Sequence, residues 1–286
     1  MNLTDMQVII PLLESNGFRF SKAKGQNFLI RQWVPERIVA ESGIDSDCAV
    51  LEIGPGVGVL TQELCKRASV VAAVELDAAL LPVLNTTLSE YDNVHILQGD
   101  ILKTDIAALV NQYFQGQKPV VCANLPYNVT TPILSKLFEC GLFSCITVMI
   151  QREVAQRICA APGTPEYGAF TVFANFYTTP KICFNIPPDC FHPRPKITST
   201  VVRMEAKAAP KNLNDIPLFF SIVRSAFAQR RKTLTNALLP LFGSRLSKEQ
   251  LSLALSDCSL DTRIRGEALG IPEFIRLTNR FSELLG

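Results

Sequence analysis

The chain has 286 residues, of which 48% are hydrophobic and 19% charged, with a formal net charge of only +2. That length and apolar content suffice for one large domain and a small one, and they argue against long disorder. Nine cysteines include no C-x-x-C pair and the only histidines are His95 and His192, so the short fixed spacings of a zinc site are missing and no metal is expected.

The segment 1–45 is expected to carry helices of its own and to fold onto the front of a larger domain. Asp5 stands where a signal peptide would want positive charge, and the apolar run 8–13 is too short to be secretory or to span a membrane. The scattered cysteines, several inside apolar runs, read as reduced core thiols of a cytoplasmic protein. From 48 to about 150, short β-branched runs alternate with helical patterns. Strands are expected at 49–53, 70–75, 94–97, 119–123 and 145–150, and helices at 58–67, 77–89, 105–114 and 130–140. That alternation predicts a doubly wound α/β sheet.

Further on, 181–186 and 199–205 read as two more strands closing the sheet with a hairpin-like edge, while Pro187-Pro188 and Pro193-x-Pro195 forbid regular structure between them. After Glu205 the pattern changes. A linker-like stretch, 206–214, leads into apolar spacing at 216–228, 234–242, 248–256 and 272–285 that predicts three or four short amphipathic helices. The expected division is therefore a sheet domain over 1–207 and a small all-helical domain over 208–286. Charge divides in the same place: residues 1–206 sum to −3, whereas 207–286 carry 12 basic and 7 acidic side chains, net +5. A basic appendage of this kind suits a nucleic-acid partner.

Four successive strand ends carry chemistry. Glu52-Ile53-Gly54-Pro55-Gly56-Val57-Gly58 is a turn whose glycines let backbone approach a ligand closely. Glu75, 21 residues after Gly54, is placed to take both hydroxyls of a ribose, and Asp100 to accept from an adenine amine. A dinucleotide fingerprint is the rival, but its third glycine would fall at Val59. The fourth strand ends in Asn124-Leu125-Pro126-Tyr127. The Asn124 side-chain carbonyl and the Leu125 main-chain carbonyl can accept the two hydrogens of an aromatic amine, pulling its nitrogen toward a tetrahedral shape. Pro126 sets the turn and Tyr127 can stack on the base. Catalysis would be positioning plus electrostatics, with no general base. Phe191, read from the residues alone, is a core aromatic.

The ordered set Gly25-Gln26-Asn27-Phe28-Leu29, Val50-Leu51-Glu52-Ile53-Gly54-Pro55-Gly56, Val74-Glu75-Leu76-Asp77, Asn124-Leu125-Pro126-Tyr127-Asn128, Met149-Ile150-Gln151-Arg152-Glu153-Val154 and Phe191-His192-Pro193-Arg194-Pro195-Lys196 resembles the small-subunit ribosomal RNA adenine N6-dimethyltransferases. The resemblance implies a Rossmann-like S-adenosylmethionine methyltransferase domain and dimethylation of two adjacent adenines, extruded from their helix to be reached. It implies cofactor contacts at Asn27, Leu29, Gly54, Glu75, Asp100 and Asn124, and makes Phe191 the second face of an aromatic sandwich opposite Tyr127. His192 and Arg194 stand where many relatives have uncharged residues.

Phosphate contacts are expected from Lys22, Lys24, Arg194 and Lys196, and from the cluster Arg230, Arg231, Lys232. The partner implied is the immature small ribosomal subunit, met by a monomer. Two alternatives stay open: a large-subunit rRNA adenine methyltransferase of the macrolide-resistance type, and a non-enzymatic RNA-binding assembly or transcription factor on the same fold.

Overall fold

The computed structural model describes residues 1–18 and 27–285. The chain forms two compact units: Met1–Ala155 with Thr179–Ala206, and Gln156–Thr178 with Lys207–Gly286.

The first unit is built on a sheet. It opens with α1 (Met6–Ser15), whose first turn is capped by the Asp5 carboxylate accepting from Gln7 N at 2.9 Å. The two-residue strand β1 (Phe28–Leu29) and helix α2 (Trp33–Ser42) follow, and α2 ends at the left-handed Gly43. The alternating region comprises β2 (Cys48–Ile53), α3 (Val59–Cys65), β3 (Val70–Glu75), α4 (Leu81–Thr87), β4 (Val94–Gln98), α5 (Ile106–Tyr113), β5 (Lys118–Asn124), α6 (Thr130–Cys140) and β6 (Cys145–Gln151). After α7 (Arg152–Ile158) and α8 (Ala169–Tyr177), the chain supplies β7 (Thr178–Ile186), the short β8 (Phe191–His192) and β9 (Ser199–Ala206).

Seven strands lie in the order β4-β3-β2-β5-β6-β9-β7. The first five run parallel, and β9 pairs antiparallel with β6, from Cys145↔Glu205 to Gln151↔Ser199. Strands β2 and β3 are buried along their whole length, as interior strands of a parallel sheet covered by helices must be. Each of those two apolar runs nevertheless holds one acid, Glu52 or Glu75. The outermost strand, β7, begins at Thr178 rather than near 181. Pro180 is tolerated inside it because a strand at the edge of a sheet has one side with no ladder to donate to. Outside the large sheet, β1 and β8 make an antiparallel pair, Phe28↔His192 and Leu29↔Phe191.

The second unit is helical: α9 (Ile216–Ala228), α10 (Leu234–Phe242), α11 (Lys248–Asp257) and α12 (Ile271–Leu285). Local sequence starts these helices. Asp215 accepts from Leu218 N at 2.8 Å at the head of α9, and Ser247 with Gln250 makes a reciprocal capping box on α11. A single cut near 207 does not separate the two units, because 156–178 belongs with the helices. The aromatic side chains of α8 explain this: Phe176 lies 5.2 Å from Phe219 and 5.0 Å from Phe220, ring centre to ring centre. Phe219 in turn meets Phe274 at 6.3 Å, and both are fully buried. Phe274→Ala should therefore lower stability by about 3–5 kcal/mol, read as a fall in the urea midpoint of the helical signal. A loss under about 1 kcal/mol would mean that these rings do not form the core of the unit.

Candidate active site

In an open parallel sheet, ligands bind beyond the carboxyl ends of the strands where the order reverses. Here β2 and β5 are neighbours although β3 and β4 lie between them in the chain, so the chain passes outward from β2 to β4 and returns at β5. A cleft of about 230 Å³ opens at that point. It is lined by the ends of β2, β3 and β5, by the turns after β2, β3, β4 and β5, and by Asn27, Phe28 and Leu29 of the arm.

The turn after β2 is shaped by glycine. Gly54 has φ +68, which L side chains rarely adopt, and a Cβ there would meet nothing within 4 Å. Backbone conformation requires the glycine, and the space before it is left to a ligand. Gly56 is constrained twice, by φ +65 and by the Phe28 ring edge, 3.1 Å from where a Cβ would sit.

Glu75 closes β3 and holds the turn. Its Oε1 accepts from Asp77 N at 2.8 Å and its Oε2 from Gly56 N at 3.3 Å. It is 6% exposed, and burial raises its pKa, with the two amides working the other way. Asp100 follows β4, with Oδ1 accepting from Leu102 N at 2.9 Å. The Asp100 turn is tied down from α6: Lys136 Nζ donates to the carbonyls of Leu102 at 2.8 Å and Thr104 at 2.7 Å. Two charge-assisted bonds thus link the turn bearing Asp100 to the helix that follows Asn124.

Asn124 is the last residue of β5, in register with Met149, and Leu125 N donates to Met149 O at 3.1 Å. That bond fixes the Asn124–Leu125 peptide, immediately ahead of the Leu125 carbonyl. The Pro126 carbonyl accepts from Val129 N at 3.3 Å and Thr130 Oγ1 at 3.0 Å, which turns the chain directly into α6. Tyr127 Oη lies 2.6 Å from Ser199 Oγ of β9, so the ring is held from the neighbouring side of the sheet, and burial raises its pKa.

The fold thus brings Asn27, Leu29, Gly54, Glu75, Asp100, Asn124, Leu125, Pro126 and Tyr127 to one cleft. Phe191 is placed differently. It is 2% exposed, its backbone pairs with Leu29, and it is not among the described residues that line the cleft. Arg194 and Lys196 are exposed in the sheet unit. Arg230, Arg231 and Lys232 are exposed in the turn between α9 and α10 of the helical unit, ahead of the helix rather than opening it. Arg230 is already engaged, 3.3 Å from Glu267 Oε2 and donating to Pro165 O at 3.0 Å. Lys22, Lys24, Gly25 and Gln26 lie outside the described residues.

The sequence patterns missed several contributors. Leu76 and Leu102 line the cleft although 63% and 36% exposed, as apolar walls set one or two residues after a strand-end acid. Their position after Glu75 and Asp100 was a usable signal. Glu52 lines the cleft from β2 and is 1% exposed. Lys136 and Ser199 act across 32 and 72 positions of chain, and nothing local marks them. Carboxylates, an apolar slot and a strand-end amide in one cleft suit a ligand with a flat face, hydroxyl donors and positive charge.

A model of the ribosomal RNA adenine dimethylase family matches residues 17–268. Proteins described as ribosomal RNA small subunit methyltransferase A are similar at full length. The one from Bacillus licheniformis is 44% identical over 96% of this chain and 95% of its own, and the one from Lachnoclostridium phytofermentans is 44% identical over 98% of each. Among solved structures, a dimethyladenosine transferase from Plasmodium falciparum superposes with a TM-score of 0.77 at 24% identity, covering 90% of this chain and 98% of that one. The 23S rRNA methyltransferase ErmE superposes with a TM-score of 0.67 at 23% identity, covering 89% and 99%. Those two likenesses are of fold alone. With a family model matching most of its length and relatives of this identity along nearly all of it, the chain belongs to the ribosomal RNA adenine dimethylase family.

Proposed function

We propose that this protein is an S-adenosylmethionine-dependent enzyme that dimethylates the N6 amines of two adjacent adenines in small-subunit ribosomal RNA during assembly of the small subunit. The observation that carries the proposal is the turn at Asn124-Leu125-Pro126-Tyr127 opening onto the same cleft as Glu75 and Asp100. The names of the full-length relatives support the small-subunit substrate.

The cleft suits the cofactor in three respects. Gly54 leaves open space at its Cβ position, Leu76 and Leu102 offer apolar walls for a flat base, and two acids, Glu52 and Glu75, suit a ligand with hydroxyls and positive charge. When bound, S-adenosylmethionine supplies an electrophilic methyl group. The chain's own residues do the rest. Glu75 takes the ribose hydroxyls, Asp100 accepts from the adenine amine, and Asn27 and Leu29 hold the open side. For the substrate base, Asn124 Oδ1 and the Leu125 carbonyl accept the two N6 hydrogens in the first transfer, and one of them accepts the single hydrogen left for the second, which frees the lone pair delocalised in the ring. Tyr127, steadied by Ser199, stacks on one face of the base. Phe191 is assigned the other face, which requires its side chain to leave the buried position described above. Positive charge grows on N6 as the bond forms, and both acceptors stabilise it. The methylated nitrogen is acidic enough to lose its proton to water, so no side-chain base is assigned.

The target adenines must be extruded to reach this cleft. Arg194, Lys196, Arg231 and Lys232 are assigned to phosphate, with the helical unit serving the RNA substrate. Arg230 is engaged by Glu267 and the Pro165 carbonyl, contacts that a phosphate would have to compete with. The double substitution Arg231→Ala/Lys232→Ala should weaken binding to unmethylated small subunits and reduce the slope of log K against log salt by up to about 2. The cofactor dissociation constant should not move. An unchanged salt slope would remove this turn from the interface.

The protein is taken to act as a cytoplasmic monomer; no helix among the described residues is long and apolar enough to cross a membrane. The test in cells is primer extension on small-subunit rRNA from a strain in which this chain is the only such enzyme. Dimethyladenine blocks base pairing, so two adjacent stops are expected. Read-through at both positions, with the protein present, would refute the assignment.

A further inference from the structure

Glu52 takes no part in the methyl transfer described above, and its only role so far is as a second acid in the cleft. It is the penultimate residue of the buried strand β2, is 1% exposed, and lines the cleft. Its Oε2 has no hydrogen-bond partner among the described residues, and neither has the buried hydroxyl of Thr61 beside it. An ionised carboxylate in such a position lacks both water and a partner, and that is costly unless a cation arrives or the group is neutral.

The groups that bear on it come from each neighbouring element. Helix α3 contributes the Thr61 hydroxyl and the Cys65 thiol, β5 the Cys122 thiol, and β3 the second carboxylate, Glu75. None of these is a cation. Burial pushes the Glu52 carboxyl up to about 8, with the Glu75 charge adding to the effect. The Thr61 hydroxyl is near enough to favour the charged form, but it does not reach hydrogen-bond geometry, so burial dominates. The same neighbourhood acts on the thiols: burial first, then the Glu52 charge, drives Cys65 up to about 12 and Cys122 upward as well. Among the described residues that bear on Glu52, every group is thus neutral or anionic, and Glu52 itself lines the cleft.

We infer that Glu52 senses the charge of the cofactor: it carries a proton while no cation is in the cleft, and releases it when a cationic ligand enters. The inference rests on the S-adenosylmethionine reading proposed above. The step is a simple acid dissociation. The carboxyl O–H bond breaks, the proton goes to water, and the carboxylate left behind pairs with the ligand's positive charge. A group that is neutral before binding and ionised after it makes binding release a proton. Affinity then rises with pH, because at low pH that proton must be removed against the solution. A cleft with such a group discriminates by charge among ligands that share the adenosine portion. S-adenosylmethionine carries an ammonium and a sulfonium, whereas 5′-methylthioadenosine carries neither.

The test is calorimetric titration of the full chain with each of those two ligands, near neutral pH, in two buffers of different ionisation enthalpy. Close to one proton released per S-adenosylmethionine is expected, and none for 5′-methylthioadenosine. Between about pH 6 and about pH 7, where an α-amino group stays charged, affinity for S-adenosylmethionine should rise close to tenfold. In Glu52→Gln that rise should flatten and the proton release disappear. The wild-type ligand pair decides the matter even if the variant does not fold. Binding of S-adenosylmethionine with no proton released would overturn the proposal, and so would release that survives in Glu52→Gln. Either outcome leaves the cofactor reading standing. Failure of both ligands to bind would instead overturn the cofactor reading, and this proposal with it.

Discussion

Replacing Asn124 with alanine should lower the rate of methyl transfer by roughly 10²–10³-fold, the usual cost of removing one preorganised polar group aimed at developing charge. Asn124 ends β5 with its backbone locked in the ladder to β6, so truncation removes the acceptor without disturbing the turn. The lost interaction is stronger in the transition state than in the ground state, because N6 becomes positive only as the bond forms. The fall should therefore appear in kcat, with little change in KM for the RNA. Single-turnover transfer measures it directly. A variant retaining more than about a tenth of wild-type rate would mean that the Leu125 carbonyl suffices, or that the target amine is held elsewhere.

Glu75→Ala should raise the cofactor dissociation constant by roughly 10–100-fold, since hydrogen bonds to a charged acceptor contribute about 1.5–3 kcal/mol. Two effects combine. The ribose hydroxyls lose their acceptor, and the amides of Gly56 and Asp77 lose theirs, so the glycine turn is no longer pinned to the end of β3. Glu75→Gln keeps an acceptor oxygen and should recover part of the loss. Calorimetry with S-adenosylmethionine separates binding from chemistry. A change below about threefold would remove Glu75 from the cofactor site.

The sheet was legible because its signals are local. The runs 49–53, 70–75 and 119–123 are largely apolar and β-branched, and each ends in or is followed by a residue type that apolar packing cannot explain: Gly54, Glu75 and Asn124. Their parallel arrangement and shared cleft follow from the alternation with helices. Helix α8 was not legible. Its aromatic side chains at 170, 173 and 177 do fall at helical spacing, but what fixes them is packing against Phe219 and Phe220 more than 40 positions away. That is also why a boundary drawn from composition at 207 misses 156–178. Phe191 shows a different limit. Its residue type and setting pointed to a core aromatic, and it is indeed buried, whereas the stacking role came from the family resemblance. Lys136 and Ser199 support the site through contacts across long stretches of chain, which no window of sequence contains. Glu52 was visible as the acid of a motif, but its isolation from any partner needed three dimensions.

This cleft is proposed to move methyl groups onto adenine N6 in small-subunit RNA. The most direct test is transfer of labelled methyl from S-adenosylmethionine to purified unmethylated small subunits, with large subunits, naked large-subunit rRNA and the Asn124→Ala protein alongside. The prediction is label recovered as N6,N6-dimethyladenine in the small-subunit RNA alone, and lost with Asn124→Ala. Label in the large-subunit RNA would contradict the substrate, and cofactor binding with no label in any RNA would contradict the chemistry.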